Sequence, residues 1–227
     1  MNYPKIQTIF KRDEKTGNIK PEHITKREFE VIKDWTITEK IDGMNIHVDF
    51  ENDSNEHPEK AFSWKVSFHG KTDNAQIPAP LMQHLYEKFG KIEVFTPIIE
   101  YFMQYDKSVK KIIIFGEGYG AGIQKGMDYS KDQKFIAYDM WIDGWWLEQL
   151  HAKRICDEIG VPFVPVLPIT TKEDAIEFVK SNTYSSIAFP NPNPHKTEGV
   201  VATSNPLMLF RDGTPIKWKL KQRDYKV

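Results

Sequence analysis

A lysine at a corner between two predicted strands is the first residue whose setting suggests chemistry. Lys40 lies in the polar segment 39–45, where its amine can point into a cleft. A plain surface turn that bends at Asp42-Gly43 fits the same residues equally well. A lysine acts as a nucleophile only after losing its proton, and neighbouring cations or burial lower its pKa. The corner therefore predicts a nucleophile if cations lie close by.

Cations are concentrated near the end of the sequence. Residues 216–227 carry five basic side chains against one acidic side chain, Asp224. Trp218 and Leu220 alternate with lysines, and a period of two predicts a strand with one buried face. The opposite face would present Lys217, Lys219 and Lys221, although a solvated surface would show the same pattern. These lysines can stabilise charge on a phosphate group.

Two glutamates lie at the ends of apolar strands. Glu117 follows the apolar run 112–115 within a glycine-rich segment, and Glu198 opens the run 199–203. The glycine spacing does not match a dinucleotide fingerprint, and a carboxylate would repel phosphates there. A strand-edge charge is the plain alternative for Glu198. Both residues offer the hard oxygens that Mg²⁺ prefers, and Glu117 could instead bind ribose hydroxyls.

The elements that must position these residues are mostly short strands. β-branched and aromatic runs predict strands over 34–38, 45–50, 61–68, 111–115, 135–141, 199–203, 207–210 and 216–220. Helical periodicity favours helices over 80–89, 96–104, 146–159 and 172–180. Strands that pair across short turns, with helices segregated from them, indicate an antiparallel α+β architecture.

The composition of the chain limits the class of protein that it can be. The chain has 227 residues, a net charge of −1, 40% hydrophobic residues and a single cysteine. No apolar run is long enough to span a membrane, and residues 1–10 do not resemble a signal peptide. The sequence therefore predicts a cytoplasmic protein without membrane contact. Cys156 cannot form an internal disulfide, and we expect it to be buried.

Five segments, taken in order, resemble the covalent nucleotidyltransferase superfamily of DNA ligases, RNA ligases and mRNA capping enzymes. They are Lys40-Ile41-Asp42-Gly43, Phe115-Gly116-Glu117, Phe135-Ile136-Ala137-Tyr138-Asp139, Glu198-Gly199-Val200-Val201 and Lys219-Leu220-Lys221. Within it, the chain is most similar to the phage-type RNA ligase 2 family. Asn45, the segment 70–78 and the run 116–120 carry that closer resemblance.

The resemblance implies an α+β fold with antiparallel sheets, an ATP-grasp-like ligase adenylation domain in which two sheets enclose a nucleotide cleft. It also implies an enzyme that uses ATP and Mg²⁺ or Mn²⁺. Lys40 would attack the α-phosphorus of ATP to give lysyl-AMP. The AMP would pass to an RNA 5′-phosphate, and a 3′-hydroxyl would then displace it to form a phosphodiester.

Each matching residue receives an implied role. Lys40, Glu117, Glu198, Lys219 and Lys221 would be catalytic, with Lys219 and Lys221 on the α-phosphate, Glu198 on a metal, and Glu117 on the ribose or a second metal. Phe135 or Tyr138 would stack on adenine, with Phe135 preferred. The remaining nucleotide or RNA contacts would come from Glu39, Ile41, Gly43, Asn45 and Lys71.

Two departures from the family qualify the resemblance. Lys71 stands where the family usually has arginine, which keeps the charge and loses the bidentate fork. Only six residues follow Lys221, so we expect a single adenylyltransferase domain over 1–227 without a C-terminal accessory domain. A partner protein could replace that domain.

The sequence leaves three other functions open. A DNA nick-sealing ligase or a capping guanylyltransferase would use the same scaffold, and a non-catalytic nucleotide- or RNA-binding module would keep the fold without the chemistry. The intact Lys40, Glu117 and Glu198 favour the enzyme. We expect a monomer that acts on RNA 5′-phosphate and 3′-hydroxyl ends in a bacterium or a phage-infected cell.

Overall fold

The computed structural model describes residues 1–52, 64–72, 75–124, 129–181, 183–188 and 196–225. The chain divides into two compact units. The first unit comprises Met1–Tyr3 and Asp42–Phe163, and the second unit comprises Pro4–Ile41 and Val164–Val227. This division was not predicted from the sequence, which suggested one domain. The chain passes from the second unit to the first directly after Lys40-Ile41.

Eleven strands are present in the part of the chain that the structure describes. They are β1 (Gln7–Thr8), β2 (Phe10–Arg12), β3 (Ile19–Ile24), β4 (Trp35–Lys40), β5 (Met44–Asn52), β6 (Trp64–Gly70), β7 (Lys111–Tyr119), β8 (Lys134–Ile142), β9 (Trp145–Trp146), β10 (Gly199–Ser204) and β11 (Lys217–Lys221).

Helices are fewer. They are α1 (Glu28–Val31), α2 (Ala79–Leu85), α3 (Ile92–Met103), α4 (Gln149–Glu158) and α5 (Lys172–Lys180), with a π-helical turn over Tyr86–Gly90 and 3₁₀ turns over Ser186–Ala188 and Gln222–Tyr225. Among the helices described, none is long and apolar enough to cross a membrane.

The first unit is built on a five-stranded antiparallel sheet in the order β6-β5-β7-β8-β9. One face of β5 presents Ile46, Val48 and Phe50 to a core that also contains side chains of α2, α3 and α4. Cys156 of α4 lies in this core, and burial raises the pKa of its thiol to about 12. The expectation of a buried cysteine is confirmed.

The other face of the same sheet is polar. His47, Asp49 and Asp139 all lie on it and are all buried. The alternation of β5 therefore places apolar side chains in the packed core and buried polar side chains on the opposite face.

The second unit contains a four-stranded sheet in the order β1-β11-β10-β4. β1 runs parallel to β11, and the other neighbours are antiparallel. Trp35, Ile37, Trp218 and Leu220 point to a common core that includes side chains of α5. The indole rings of Trp35 and Trp218 meet edge to face with centroids 5.6 Å apart. β2 and β3 form a separate hairpin.

The predicted strands and helices agree with most of these elements. α5 covers the predicted residues, and β4, β5, β7, β8, β10 and β11 extend or shift the predicted ranges by a few residues. The predicted strand over 61–68 lies partly outside the described residues. β1, β2 and β3 were missed because they are short or interrupted by charged residues.

Two predictions of secondary structure were wrong. Residues 207–210 form only a single bridge, between Leu209 and Pro215, because Met208 and Phe210 pack against the core of the second unit instead of joining a sheet. The helix predicted from residue 146 begins at Gln149, since Trp145 and Trp146 pair with β8 as strand β9.

We expect Trp218→Ala to destabilise the protein by about 3–5 kcal/mol, because it removes the centre of the second core and leaves a cavity. Urea unfolding followed by circular dichroism measures the change. Trp145→Ala is the matched control, since its side chain is 74% exposed and its removal should cost less than about 0.5 kcal/mol. Equal effects of the two substitutions would contradict this assignment of the core.

Candidate active site

Three charged side chains of the second unit meet where β4 and β11 end and β10 begins. Lys40 is the last residue of β4, Lys221 is the last of β11, and Glu198 directly precedes β10. The register places Gly199 opposite both Lys40 and Lys221. Lys40 and Lys221, on either side of Gly199, therefore both lie next to the carboxylate of Glu198.

Glu198 bridges the two lysines. Its Oε2 accepts a hydrogen bond from Lys40 Nζ at 2.5 Å, and its Oε1 is paired with Lys221 Nζ. The three side chains are only 10–19% exposed. Hydrogen bonds between ionised groups are stronger than neutral ones, and partial burial shields them from salt. We call these residues the lysine–glutamate cluster.

Gly199 allows the three strands to meet at this point. Its φ of +150° is rarely adopted by other residues, and a Cβ built there would lie 2.0 Å from the carbonyl oxygen of Leu220. A side chain at this position would push β10 and β11 apart. The glycine of the Glu198-Gly199 pair is thus needed for the position of Glu198.

Lys219 lies on the same face of β11 as Lys221. Trp218 and Leu220 point into the core, so the alternation of a strand places Lys217, Lys219 and Lys221 on the opposite face. Lys219 pairs in register with Val201 of β10, two positions from Gly199. The predicted lysine row is therefore present on one strand face, with Lys217 buried at its start.

Glu39 points away from this face. It is 3% exposed, and its carboxylate accepts hydrogen bonds from Ser185 Oγ, from Ser186 Oγ at 3.0 Å and from Ser186 N at 3.2 Å. The side chain ties β4 to the segment that leads into the 3₁₀ turn Ser186–Ala188. Nothing in the sequence identified Ser185 and Ser186 as its partners. Contact between Glu39 and the nucleobase stays a prediction. Because the carboxylate is bonded to the two serines, backbone atoms of Glu39 are favoured for that contact.

Ile41 and Gly43 continue the chain from Lys40. Ile41 is buried, and its carbonyl oxygen accepts a second hydrogen bond from Lys40 Nζ at 3.3 Å. In the first unit, a Cβ at Gly43 would lie 2.2 Å from the carbonyl oxygen of Gly118. Burial thus explains the apolar residue at position 41, and the close backbone approach explains the glycine at position 43. Their contacts with the nucleotide stay predictions.

The first unit places Asn45 beside Glu117. The two residues are direct partners in the pairing of β5 with β7, so they share one face of the sheet. Asn45 Nδ2 donates a hydrogen bond to the hydroxyl of Tyr138. Asn45 Oδ1 is buried, and within the described residues it has no hydrogen-bond partner. An unsatisfied buried oxygen is costly, so this amide is suited to bind a ligand.

Two tyrosines lie on this polar face, and of these Tyr3 was not identified from the sequence as a site residue. Tyr3 donates a hydrogen bond to Asp139 Oδ2 and packs against Phe115, Tyr138 and Trp146. Burial, with the nearby carboxylates of Asp139 and Glu117, raises the pKa of Tyr3 and Tyr138 well above the usual value. Both phenols therefore stay neutral hydrogen-bonding groups. The residues around Tyr3 give no signal that could have identified it.

A second polar network occupies the same face. His47 Nδ1 and Asp49 Oδ1 are 2.5 Å apart, and Lys111 Nζ is 3.2 Å from the other oxygen of Asp49. Burial alone would raise the pKa of Asp49, but the hydrogen bond with His47 and the charge of Lys111 lower it. The alternating polar positions of β5 were the only signal for these residues.

Phe135 does not provide a platform for adenine, contrary to expectation. It is 2% exposed in the core of the first unit, with its ring edge to face against Phe89 at 5.6 Å. Gly116 packs so closely that a Cβ there would lie 2.4 Å from the ring. No ring face is free for stacking. Tyr138, the alternative named from the sequence, is on the polar face and half-buried.

Lys71 and a metal site were also predicted from the sequence. Lys71 directly follows β6 and is exposed. Within the described residues, no group of three His, Cys, Asp or Glu side chains is arranged to hold a metal ion. Glu198 belongs to the second unit and Glu117 to the first, so each is assessed as a metal ligand by itself.

Comparisons with known proteins agree with the family resemblance. A family model described as RNA ligase matches residues 33–219. No curated protein matches the sequence significantly.

Among solved structures, a variant of Naegleria gruberi RNA ligase with ATP and Mn is similar, with a TM-score of 0.63, 16% identity, and coverage of 99% of this chain and 57% of that chain. The same ligase with PPi gives a TM-score of 0.59, 17% identity, and coverage of 98% and 62%. A variant with AMP and Mn gives a TM-score of 0.58 and 16% identity, and the match covers 98% of this chain and 62% of that chain. The chain thus spans about three-fifths of the length of these proteins and shares their fold.

Gly199→Ala should destabilise the protein by more than about 1 kcal/mol, because the new Cβ collides with the backbone of β11 at a strained φ. Gly213→Ala is a matched control, since it also replaces a glycine with positive φ but meets no atom within 4 Å. Thermal unfolding measures both. The role of Gly199 would be refuted if its variant melted at or above the temperature of the Gly213 variant.

Proposed function

The chain belongs to the RNA ligase family, and from this premise we propose that it is an ATP-dependent RNA ligase that forms lysyl-AMP at Lys40. One observation carries the proposal: the Lys40 amine is held by Glu198, with Lys221 on the other carboxylate oxygen and Lys219 on the same strand face. This arrangement combines a nucleophile, a group that orients it, and cations that can stabilise a phosphate.

In the first step, Lys40 Nζ attacks the α-phosphorus of ATP. A nitrogen–phosphorus bond forms, the bond from phosphorus to the bridging oxygen of pyrophosphate breaks, and the amine loses its protons to solvent. Lys219 and Lys221 lie on one face of β11, where they can offset the negative charge that develops on the α-phosphate. The leaving group is pyrophosphate, and AMP stays on Lys40.

The ion pair with Glu198 orients Lys40 and stabilises its protonated form, which is not nucleophilic. The reaction therefore requires the carboxylate to release the amine. Because Glu198 also contacts Lys221, it can keep one lysine partner while releasing the other. We infer that the cluster is the resting arrangement of the nucleophile.

Glu198 is also the residue best suited to hold Mg²⁺ or Mn²⁺. Its carboxylate offers hard oxygens, and phosphates and water would supply the other ligands. Both oxygens are engaged by lysines, so the metal would have to compete with two ammonium groups. A bound divalent ion would supply additional positive charge against the polyphosphate.

In the first unit, we propose that Glu117, Asn45 and Tyr138 contact the nucleotide or the RNA end. The buried, unpartnered Oδ1 of Asn45 supports a ligand at that position. Tyr138 holds the Asn45 amide and is the remaining candidate for contact with adenine. Lys71 is exposed and is proposed to contact RNA phosphate. We propose backbone atoms of Glu39 for the base contact, since its carboxylate is occupied by Ser185 and Ser186.

The second and third steps complete the proposed reaction. An oxygen of the RNA 5′-phosphate attacks the phosphorus of lysyl-AMP, and Lys40 leaves with a proton restored to its nitrogen. A 3′-hydroxyl then attacks the activated 5′-phosphate, and AMP departs as a phosphodiester forms. We further propose a cytoplasmic monomer in a bacterium or a phage-infected cell, with a partner protein as a possible source of further RNA contacts.

Incubation with ATP labelled at the α-phosphate and Mg²⁺ should give an acid-labile protein–AMP adduct. Lys40→Ala should abolish the adduct because the nitrogen nucleophile is removed. Glu198→Gln should reduce its rate by about 100-fold, since the carboxylate charge that orients Lys40 is removed. Lys33→Ala, at an exposed lysine, is the control and should label like the wild type. An unlabelled wild-type protein would refute the proposal.

The donor and the acceptor distinguish the related functions. We expect labelling from ATP but not from GTP, and sealing of RNA strands that carry a 5′-phosphate and a 3′-hydroxyl. Labelling from GTP would indicate a capping enzyme, and sealing of DNA nicks without RNA joining would indicate a DNA ligase. Tight ATP binding measured by calorimetry, without any adduct, would identify a non-catalytic nucleotide-binding module.

A further inference from the structure

A basic groove in the second unit takes no part in the lysine–glutamate cluster. It has a volume of about 520 Å³ and is lined by residues from the start of the chain, from the segment before and within α1, and from the turn that leads into β11. Its charged residues are Lys5, Lys26, Arg211 and Lys217, with Glu28 and Asp212. The groove therefore carries a net charge of +2 in a chain whose total is −1. We call it the Lys26 groove.

Three cations of this groove, Lys5, Lys26 and Arg211, are the ones that can meet a ligand. In the part of the chain that the structure describes, Lys5, Lys26 and Arg211 form no ion pair with a carboxylate. Lys26 Nζ is instead held 5.2 Å above the ring centroid of Phe210. The Asp212 carboxylate accepts hydrogen bonds from Thr214 N and Oγ1, at 3.0 and 2.6 Å, and the side-chain bond is the main cause of its lowered pKa. Its charge is therefore partly satisfied within its own turn.

A second basic groove in the same unit shows the contrast. The hairpin of β2 and β3 carries Lys11, Lys15 and Lys20 around a groove of about 470 Å³. There Lys20 Nζ lies 3.0 Å from Asp13, and the neighbouring Arg12 lies 2.8 Å from Asp224. Much of that positive charge is neutralised by carboxylates of the protein itself. Two of the four cations that line that groove are thus paired, whereas none of Lys5, Lys26 and Arg211 forms an ion pair among the described residues, although the charge of Lys26 helps to lower the pKa of Asp212.

The Lys26 groove also reaches the strand that carries the cluster. Lys217 lines the groove and begins β11, and Lys221 ends the same strand at Glu198. Four residues of strand separate their α-carbons by about 13 Å. One ATP triphosphate is too short to contact both places, whereas phosphates repeat along a nucleic acid strand at about 3.4 Å of helix rise. The spacing favours an oligonucleotide.

We propose that the Lys26 groove binds the phosphate backbone of the RNA substrate, a few nucleotides from the reacting end. This inference rests on the proposed ligase function for the identity of the reacting end. Lys5, Lys26 and Arg211 would each contact phosphate oxygens without reading sequence. The groove would hold the strand in place while its terminal phosphate lies at the lysine–glutamate cluster.

The test compares two triple variants. Lys5→Ala, Lys26→Ala and Arg211→Ala together remove three charges from the Lys26 groove. Lys11→Ala, Lys15→Ala and Lys20→Ala together remove three charges from the hairpin and serve as the matched control. Fluorescence anisotropy with a labelled 5′-phosphorylated single-stranded RNA, over a series of salt concentrations, gives the affinity and its salt dependence.

We expect the groove variant to bind RNA at least about tenfold more weakly and to lower the slope of log affinity against log salt by about 2, or about 0.7 for each phosphate that is no longer neutralised. The hairpin variant should stay close to the wild type. A variant with Lys5→Arg and Lys26→Arg should keep the wild-type slope, and unchanged thermal unfolding shows that each variant is folded. Equal slopes for the two triple variants would overturn the proposal.

Labelling of Lys40 with ATP separates this proposal from the ligase function. The groove variant should form lysyl-AMP with the same KM for ATP as the wild type, because the groove does not contact the nucleotide. A raised KM for ATP with unchanged RNA affinity would show that the groove binds nucleotide phosphates and would overturn the RNA assignment. A wild type that forms no adduct, but still shows the difference in RNA binding, would refute the ligase and support the groove.

Discussion

One carboxylate between two ammonium groups is the constraint on which the candidate site depends. Glu198 can contact Lys40 and Lys221 together only because β10 lies between β4 and β11, with Gly199 opposite both lysines. If the carboxylate were absent, two partly buried cations would face each other at strand ends. The order of strands, the glycine at the start of β10 and the packing of Trp218 beneath the sheet all serve this one contact.

Patterns within strands allowed much of the second unit to be predicted from the sequence. The alternation of Trp218 and Leu220 with lysines identified both the buried and the cationic face of β11, and the structure confirms both. The ordered motifs identified Lys40 and Glu198, which the structure brings into contact. For β11 the information is local, since a period of two within one strand decides which side chains share a face.

Contacts between distant segments could not be predicted in this way. Phe135 matched an aromatic position of a motif, but its ring is buried against Phe89, a partner 46 positions away. Tyr3 meets Asp139 across 136 positions, and Ser185 meets Glu39 across 146. No periodicity links such residues, because the fold alone brings them together. The Lys26 groove was missed for the same reason, since its cations come from three separate segments.

The pairing of β1 with β11 has a consequence for how the protein is made. These strands come from opposite ends of the chain, and β4 joins the same sheet only through β10. During synthesis, residues 42–163 emerge as a complete first unit long before β10 and β11 leave the ribosome. β4 can first bond with residues 165–170, and it gains its neighbour in the sheet only when residue 199 and those after it have been made. Chains that end before residue 221 therefore lack the lysine–glutamate cluster, which is assembled only after β10 and β11 have been made.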